Sequence, residues 1–301
     1  MLVRAMSQRN QGMFGLSEKQ DRRFAYGLWR YGADEVDAAI EALSFLREND
    51  VCHFDTADCY GGASGFGGSE RLLGAVRKRA PELLSGAAIA TKAGVEPGSP
   101  YNSSGAYLKA ACDASLKRLG VERVDLFYIH RPDLLTHPAE LAGALDGLVE
   151  AGKIGAVGVS NFTTHQVAAL AGFLKAPICV HQIEFSVAHI EPLFDGTLDQ
   201  AMERGIAVAA WSPFAGGRLG EAGPPELERV RGELKRIAEE HAAPAVAVAL
   251  AFIGRHPAPV TPILGSKRPE RLRDCLKARS LSLSRRDWYA IVEACRGEAM
   301  P

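Results

Sequence analysis

The sequence is short of the features that mark several large functional classes. Its six cysteines, at 52, 59, 112, 179, 275 and 295, are scattered and include no Cys-x-x-Cys pair. That excludes the usual redox-dithiol signature and suits reduced thiols in a cytoplasmic protein. No spacing of His, Cys, Asp or Glu forms a ligand set, so no metal is expected. Charge of one sign is nowhere in excess, since 35 Lys and Arg against 36 Asp and Glu leave a net of -1. A nucleic-acid partner would call for a basic footprint, and there is none. No apolar run approaches the roughly 18 residues that span a bilayer, so no membrane partner is expected. The start, Met-Leu-Val-Arg-Ala-Met, lacks the long apolar core of a secretory signal. A complete Gly-x-Gly-x-x-Gly is missing as well. Gly27-Leu-Trp-Arg-Tyr-Gly32 only touches it, which argues against an open dinucleotide-binding sheet. The glycine-rich stretch Gly61–Gly68 is not followed by Gly-Lys-Ser/Thr, so it reads as a mobile lid rather than a phosphate cradle.

What is present is an ordinary globular composition, 47% hydrophobic and 24% charged over 301 residues. Residues 1–23 are polar and read as a loose arm; order begins at Phe24. From there short apolar runs alternate with segments of helical periodicity. The runs are Phe24–Trp29, Val51–Phe54, Ala87–Thr91, Val124–Ile129, Ile154–Val159, Ile178–Ile183, Ile206–Trp211 and Val260–Leu264. Asp34 reads as the cap of the first helix, Ser103 or Ser104 as the cap of the third, and Ser284 opens the last. Two helical stretches meet at Pro244. Eight strand–helix units in about 250 residues predict an α/β fold, a closed (β/α)8 TIM barrel occupying 24–301 as one domain.

Catalytic groups of such a barrel sit where strands end. Strand 2 ends at Asp55 with Tyr60 just beyond, strand 3 at Lys92, strand 4 at His130, strand 5 at Ser160 and Asn161, and strand 6 at Gln182. Strand 7 ends at Ser212 and Pro213, and strand 8 at Gly265, Ser266, Lys267 and Arg268. A phenol is a poor acid near pH 7 unless a cation favours its anion. Lys92, anchored by Asp55, supplies that cation. Tyr60 could then protonate a carbonyl oxygen that His130 orients. The hydride must come from a cofactor, because no side chain provides one. Lys267, Arg268 and Arg271 lie within five residues at a helix start, where backbone N–H groups also favour an anion. Three cations suit a 2′-phosphate better than a ribose hydroxyl, so NADP(H) is expected over NAD(H).

These residues carry a resemblance. Phe54-Asp-Thr-Ala-Asp-Cys-Tyr-Gly61, Ala90-Thr-Lys92, Tyr128-Ile-His-Arg-Pro-Asp133, Gly155-Ala-Val-Gly-Val-Ser-Asn-Phe162 and Pro262-Ile-Leu-Gly-Ser266 follow one another as they do in the aldo-keto reductase superfamily. The chain resembles that superfamily from about Phe24 to Leu276. The resemblance implies Tyr60 as general acid, Lys92 and Asp55 as its tuning pair, and His130 as substrate orienter. It also implies that Ser160, Asn161 and Gln182 hold the nicotinamide carboxamide, and that Phe185 replaces the tyrosine stacked on that ring. Gly27 and Trp29 join the cofactor-binding set. The loop Pro213-Phe-Ala-Gly-Gly-Arg-Leu219, with Gly216 and Arg218, is expected over the pyrophosphate. Ser266 and Arg271 are expected on the 2′-phosphate, with Asp274 near the adenine. Cys275 stands where many members have asparagine, which weakens one adenine contact. The short C-terminus implies a substrate pocket open on that side.

The activity implied is NADP(H)-dependent reduction of aldehydes or ketones, or its reverse, by a cytoplasmic monomer or weak homo-oligomer. Oxidation of an aldose at its lactol carbon is an alternative. A Schiff-base lyase using Lys92 would need a neutral amine, which Asp55 opposes. A non-catalytic, cofactor-sensing subunit is a third reading, with all four catalytic positions occupied against it.

Overall fold

The computed structural model of the protein describes residues 23–220 and 223–301. The expected arm, residues 1–23, lies outside them except for Arg23. The described residues form eight strands: β1 (Ala25–Gly27), β2 (His53–Asp55), β3 (Ala88–Ala93), β4 (Val124–Ile129), β5 (Ile154–Ser160), β6 (Ile178–Glu184), β7 (Ala207–Trp211) and β8 (Val260–Leu264). They form a closed barrel in chain order, and the strand pairs with defined register are all parallel. Packing divides the chain at Gln182 into two compact units, taken in turn.

In the first unit the strands are largely buried on both faces. All six residues of β3, including Lys92, are buried, and so is all of β2. Phe54, Phe127 and Tyr128 fill this core. The motif glycine Gly158 is needed there, since a Cβ would stand 2.5 Å from the Tyr128 ring. Helix Gly105–Leu119 ends on Gly120 in the left-handed region, φ 67°, where glycine carries no Cβ penalty. Thr163 and Gln166 close a reciprocal capping box on helix Thr164–Ala171. Asp34 is not the cap of the first helix. Helix Val36–Glu48 starts after Glu35, whose carboxylate accepts from the Gly32 amide at 2.8 Å. Asp34 instead reaches the Ser64 hydroxyl. The helix buries Ala39, Ala42, Leu43 and Leu46.

In the second unit helix Glu228–Glu240 and helix Ala245–Arg255 are separated at Pro244. The second of them buries seven of its residues, so its apolar character belongs to the core. Among the described residues no single helix is long and apolar enough to cross a membrane; this pair passes only together, bent by 97°. Ser284 and Asp287 form a capping box on helix Arg285–Arg296. That helix is locked by Trp288, which stacks on Phe252 at 5.1 Å and donates from Nε1 to the Phe252 carbonyl at 3.0 Å.

Candidate active site

The register of β2 and β3 sets the site. Asp55 pairs with Ala90, and Lys92, two positions further, points to the same face as Ala90. Lys92 Nζ therefore meets Asp55 Oδ2 at 2.6 Å and donates to the Thr56 carbonyl at 2.8 Å. Gln182, at the end of β6, donates from Nε2 to the other oxygen, Asp55 Oδ1, at 2.9 Å. The lysine is fully buried. Burial pulls its pKa down, but Asp55 and Tyr60 push it up, and the net is upward. Lys92 is a held cation and not a free nucleophilic amine.

Tyr60 follows β2 by five residues, and the loop turns it back toward β4. Its hydroxyl lies 3.4 Å from His130 Nε2, its ring meets the imidazole edge-on at 5.4 Å, and Lys92 Nζ is 4.8 Å from its ring centre. Burial pushes the phenol up and Lys92 pulls it down; burial wins, so the resting residue is a neutral phenol. His130 is pushed well below the ordinary imidazole range by burial and then by Lys92 and Arg131. It is a neutral hydrogen-bonding group. Asn161 ties the next strand end in, donating from Nδ2 to Ser160 Oγ at 2.8 Å and toward the His130 carbonyl at 3.3 Å.

The expected lid is compact instead. Gly61 to Ser69 is closed by the amides of Ser64, Gly65, Gly67, Gly68 and Ser69 on carbonyls of its own segment and of Asp58 and Tyr60. A Cβ on Gly61 would lie 2.0 Å from the Gly65 carbonyl oxygen. A buried polar chain supports this loop from behind. Thr56 Oγ1 donates to Ser69 Oγ at 2.9 Å, and Ser69 Oγ to the Leu28 carbonyl at 3.1 Å. Glu70, read from sequence only as a helix marker, accepts from Thr91 at 2.5 Å and Arg118 at 2.6 Å.

His53, at the start of β2, is buried and pushed down to about 4, chiefly by burial, with Asp55 opposing and Lys92 adding to the shift. Between the unfolded value near 6.5 and about 4, the unfolded chain binds a proton that the folded one refuses. Stability therefore falls as pH drops through that window, by up to about 3 kcal/mol from this group. Urea midpoints at several pH values should fall less steeply for His53→Gln than for the wild type; parallel curves would remove His53 as the cause.

Gly27 pairs with Asp55, and Trp29 just beyond is half exposed with Arg30 stacked at 4.4 Å. In the second unit, Phe185 has no accessible ring face. It is fully buried and packs on Phe252 at 5.9 Å, so it offers a nicotinamide no surface to stack on. Trp211, the last residue of β7, is only part-buried and is the aromatic that sequence reading passed over. After it the loop takes left-handed backbone at Ser212, Ala215, Gly216 and Gly217, with nothing within 4 Å of a Cβ placed at either glycine. Pro213 is buried in this turn, and Arg218 donates to the Ala215 carbonyl at 3.0 Å. After β8, Gly265, Ser266 and Lys267 are part-buried and Arg268 and Arg271 exposed. Ser266 Oγ accepts from the Arg268 amide at 3.2 Å just ahead of helix Pro269–Leu276. Asp274 is engaged with Lys277 at 2.8 Å.

Each unit carries residues that suit part of a nicotinamide dinucleotide. The loop after β7 leaves its backbone open to a bulky anion, and Ser160 and Asn161 present polar side chains at a strand end, with Asn161 itself left-handed at φ 59°. Comparison with known proteins agrees with the geometry. Residues 23–296 match the Aldo/keto reductase family. The chain is 40% identical over 282 residues to 6-dehydroglucose reductase of Novosphingobium aromaticivorans, covering 92% of each chain. It is 34% identical to 6-dehydroglucose reductase of Agrobacterium fabrum, covering 94% of this chain and 97% of that one. Oxidoreductase YdhF of Escherichia coli is 35% identical, with 93% and 95% covered. The crystal structure of the thermostable aldo-keto reductase Tm1743 with the inhibitor epalrestat superposes with a TM-score of 0.80 at 25% identity, over 93% of this chain and 98% of that one. With a closed eight-stranded barrel and a Tyr–Lys–Asp–His cluster at the ends of β2, β3 and β4, the chain is an oxidoreductase that belongs to the aldo/keto reductase family.

Proposed function

We propose that the protein is an NADP(H)-dependent reductase of aldehydes, and that its substrates are sugar-derived, of the kind exemplified by 6-dehydroglucose. The carrying observation is the approach of Tyr60 and His130, 3.4 Å apart, beside a buried Lys92–Asp55 pair. A carbonyl oxygen taken up between the phenol and the imidazole would receive two hydrogen bonds. His130, neutral, holds and orients that oxygen; Tyr60 gives it the proton; Lys92 stabilises the phenolate left behind, and Asp55, Thr56 and Gln182 hold the lysine in place. A bound nicotinamide, the cofactor this family generally uses, supplies the hydride. Ser160, Asn161 and the remaining amide oxygen of Gln182 are assigned to its carboxamide, and Trp211 rather than Phe185 to its ring face. Gly27, Trp29, Ser212, Pro213, Gly216, Arg218, Gly265, Ser266, Lys267, Arg268, Arg271 and Asp274 remain assigned to the rest of the dinucleotide. The sugar class rests on the names of two relatives that match over nearly their whole length. A cytoplasmic monomer or weak homo-oligomer is proposed with it; no disulfide joins the cysteines.

Turnover of 6-dehydroglucose, simple aldoses and aromatic aldehydes, measured in both directions with both cofactors, tests the substrate class. Preference for aldose oxidation would overturn the reductive reading, and preference for aromatic aldehydes the sugar reading. The cofactor has its own test. Arg271 stands exposed on the first turn of helix Pro269–Leu276. A charge-assisted hydrogen bond to a 2′-phosphate contributes about 1.5–3 kcal/mol, or roughly ten- to hundred-and-fifty-fold in Kd. Arg271→Ala should weaken NADPH by about that factor and leave NADH nearly untouched, as read by quenching of tryptophan fluorescence. Equal wild-type affinities for the two cofactors would end the NADP preference without touching the catalytic assignment.

A further inference from the structure

Three groups with metal-ligand chemistry meet on the wall of the catalytic site: the neighbours Asp58 and Cys59, and His130, 71 residues beyond Cys59. Their ligand atoms all lie within 4.8 Å of one another. Asp58 is completely buried, yet neither carboxylate oxygen has a hydrogen-bond partner; the Cys59 amide approaches without closing a well-formed bond. A buried carboxylate is ordinarily hydrogen-bonded or bound to a cation. Cys59 Sγ stands 3.4 Å from His130 Nδ1. A tetrahedral zinc ion, with Zn–S about 2.3 Å and Zn–N about 2.0 Å, separates its sulfur and nitrogen ligands by about 3.5 Å. The thiol and imidazole are thus already spaced as zinc ligands, and the carboxylate has at most about 1.5 Å to close.

We propose that Asp58, Cys59 and His130 form an inhibitory zinc site that blocks the reductase when filled. The donor set, one thiolate, one imidazole and one carboxylate, selects zinc over magnesium or calcium, which take oxygen ligands. On binding, the Cys59 thiol and the Asp58 carboxyl each give a proton to solvent, and the thiolate and carboxylate take the metal, with no change of oxidation state. His130 binds through Nδ1. Its Nε2 faces the Tyr60 hydroxyl at 3.4 Å, the outer-shell partner that a metal-bound imidazole ordinarily has. Cys59, part-buried beside the more buried partners, marks the side from which the ion enters. Inhibition follows from connectivity. The ion pins His130 with its Nε2–H engaged by the Tyr60 hydroxyl, so the imidazole cannot swing to hold the carbonyl oxygen in line with the Tyr60 proton. Misplacing catalytic groups by about 1 Å costs on the order of 10²-fold in rate.

The inhibitory consequence rests on the reductase reading; the binding does not, and the test separates them. The full chain is titrated with cobalt(II), followed by its absorption, and with zinc(II) against a chromophoric chelator. The wild type should take up one equivalent of cobalt with a thiolate-to-metal charge-transfer band, and magnesium should not compete. Loss of an outer-shell partner weakens metal binding by about 10–100-fold, so loss of the thiolate ligand in Cys59→Ser should weaken zinc by about 100-fold or more and abolish the band. Cys59→Ala, checked for native circular dichroism, repeats the measurement without a hydroxyl. Zinc should slow aldehyde turnover in the wild type and lose that effect in both variants. Equal zinc affinity in the wild type and in a folded Cys59 variant would overturn the site. Stoichiometric binding without inhibition would overturn its inhibitory role.

Discussion

Tyr60→Phe should lower kcat for aldehyde reduction by roughly 10²–10⁴-fold, the usual size of a general-acid contribution, while leaving the dissociation constant of the cofactor nearly unchanged. The substitution removes one oxygen from a ring whose position is already set. Lys92 lies over that ring at 4.8 Å, and the His130 imidazole meets its edge, so the fold has little reason to respond. What disappears is the proton donor. Because burial keeps the resting phenol neutral, wild-type kcat should hold steady across neutral pH, with the proton present on Tyr60 before substrate arrives. His130 cannot substitute as the acid, since burial and its cationic neighbours keep it neutral. Steady-state rates on one activated aldehyde, with cofactor binding measured separately, decide the matter. Undiminished turnover would sink the assignment of Tyr60.

The meeting of Asp55, Tyr60, Lys92 and His130 was legible in the sequence because a barrel reduces the search. Each strand shows as a short apolar run, each run has an end, and few polar residues stand at those ends. β4 and β8 fall on the residues that the hydrophobic pattern marks, and the other strands shift by one or two residues at one or both ends. What the pattern could not show is contact between strands far apart in sequence. Cys59 and His130 meet across 71 residues, and Glu70 reaches Arg118 and Thr91; no spacing rule encodes either. Phe185 and Trp211 teach a related lesson. Both are aromatic residues near strand ends, and composition ranks them equally. Only burial separates them, with Phe185 sealed against Phe252 and Trp211 partly open. Asp34 lost its capping role to contacts a local cap rule does not encode: its carboxylate is drawn to Ser64, 30 residues on, while Glu35 accepts from the Gly32 amide.

The buried ion pair beneath Tyr60 offers the second large effect, and there stability and activity should part company. Lys92 is fully buried and Asp55 nearly so, 2.6 Å apart. Removing one member of such a pair leaves an uncompensated charge and costs about 3–5 kcal/mol, whereas replacing both charges by groups of similar volume is often close to neutral. Lys92→Met should therefore lower unfolding free energy by about 3–5 kcal/mol, a large part of the 5–15 kcal/mol typical of a folded domain. The double variant Asp55→Asn, Lys92→Met should recover much of that loss. The amide introduced by Asp55→Asn keeps a carbonyl oxygen to accept from the Gln182 side chain, which now donates to the Asp55 carboxylate, and it leaves no buried charge. Catalysis should not recover with it. Without the cation nothing favours the phenolate as the proton leaves Tyr60, so kcat should stay depressed in the single and the double variant alike. Urea denaturation and steady-state rates on the same three proteins measure both quantities. A double variant no more stable than Lys92→Met would show that the lysine stem, and not its charge, supports the fold. A double variant with wild-type kcat would remove Lys92 from the chemistry.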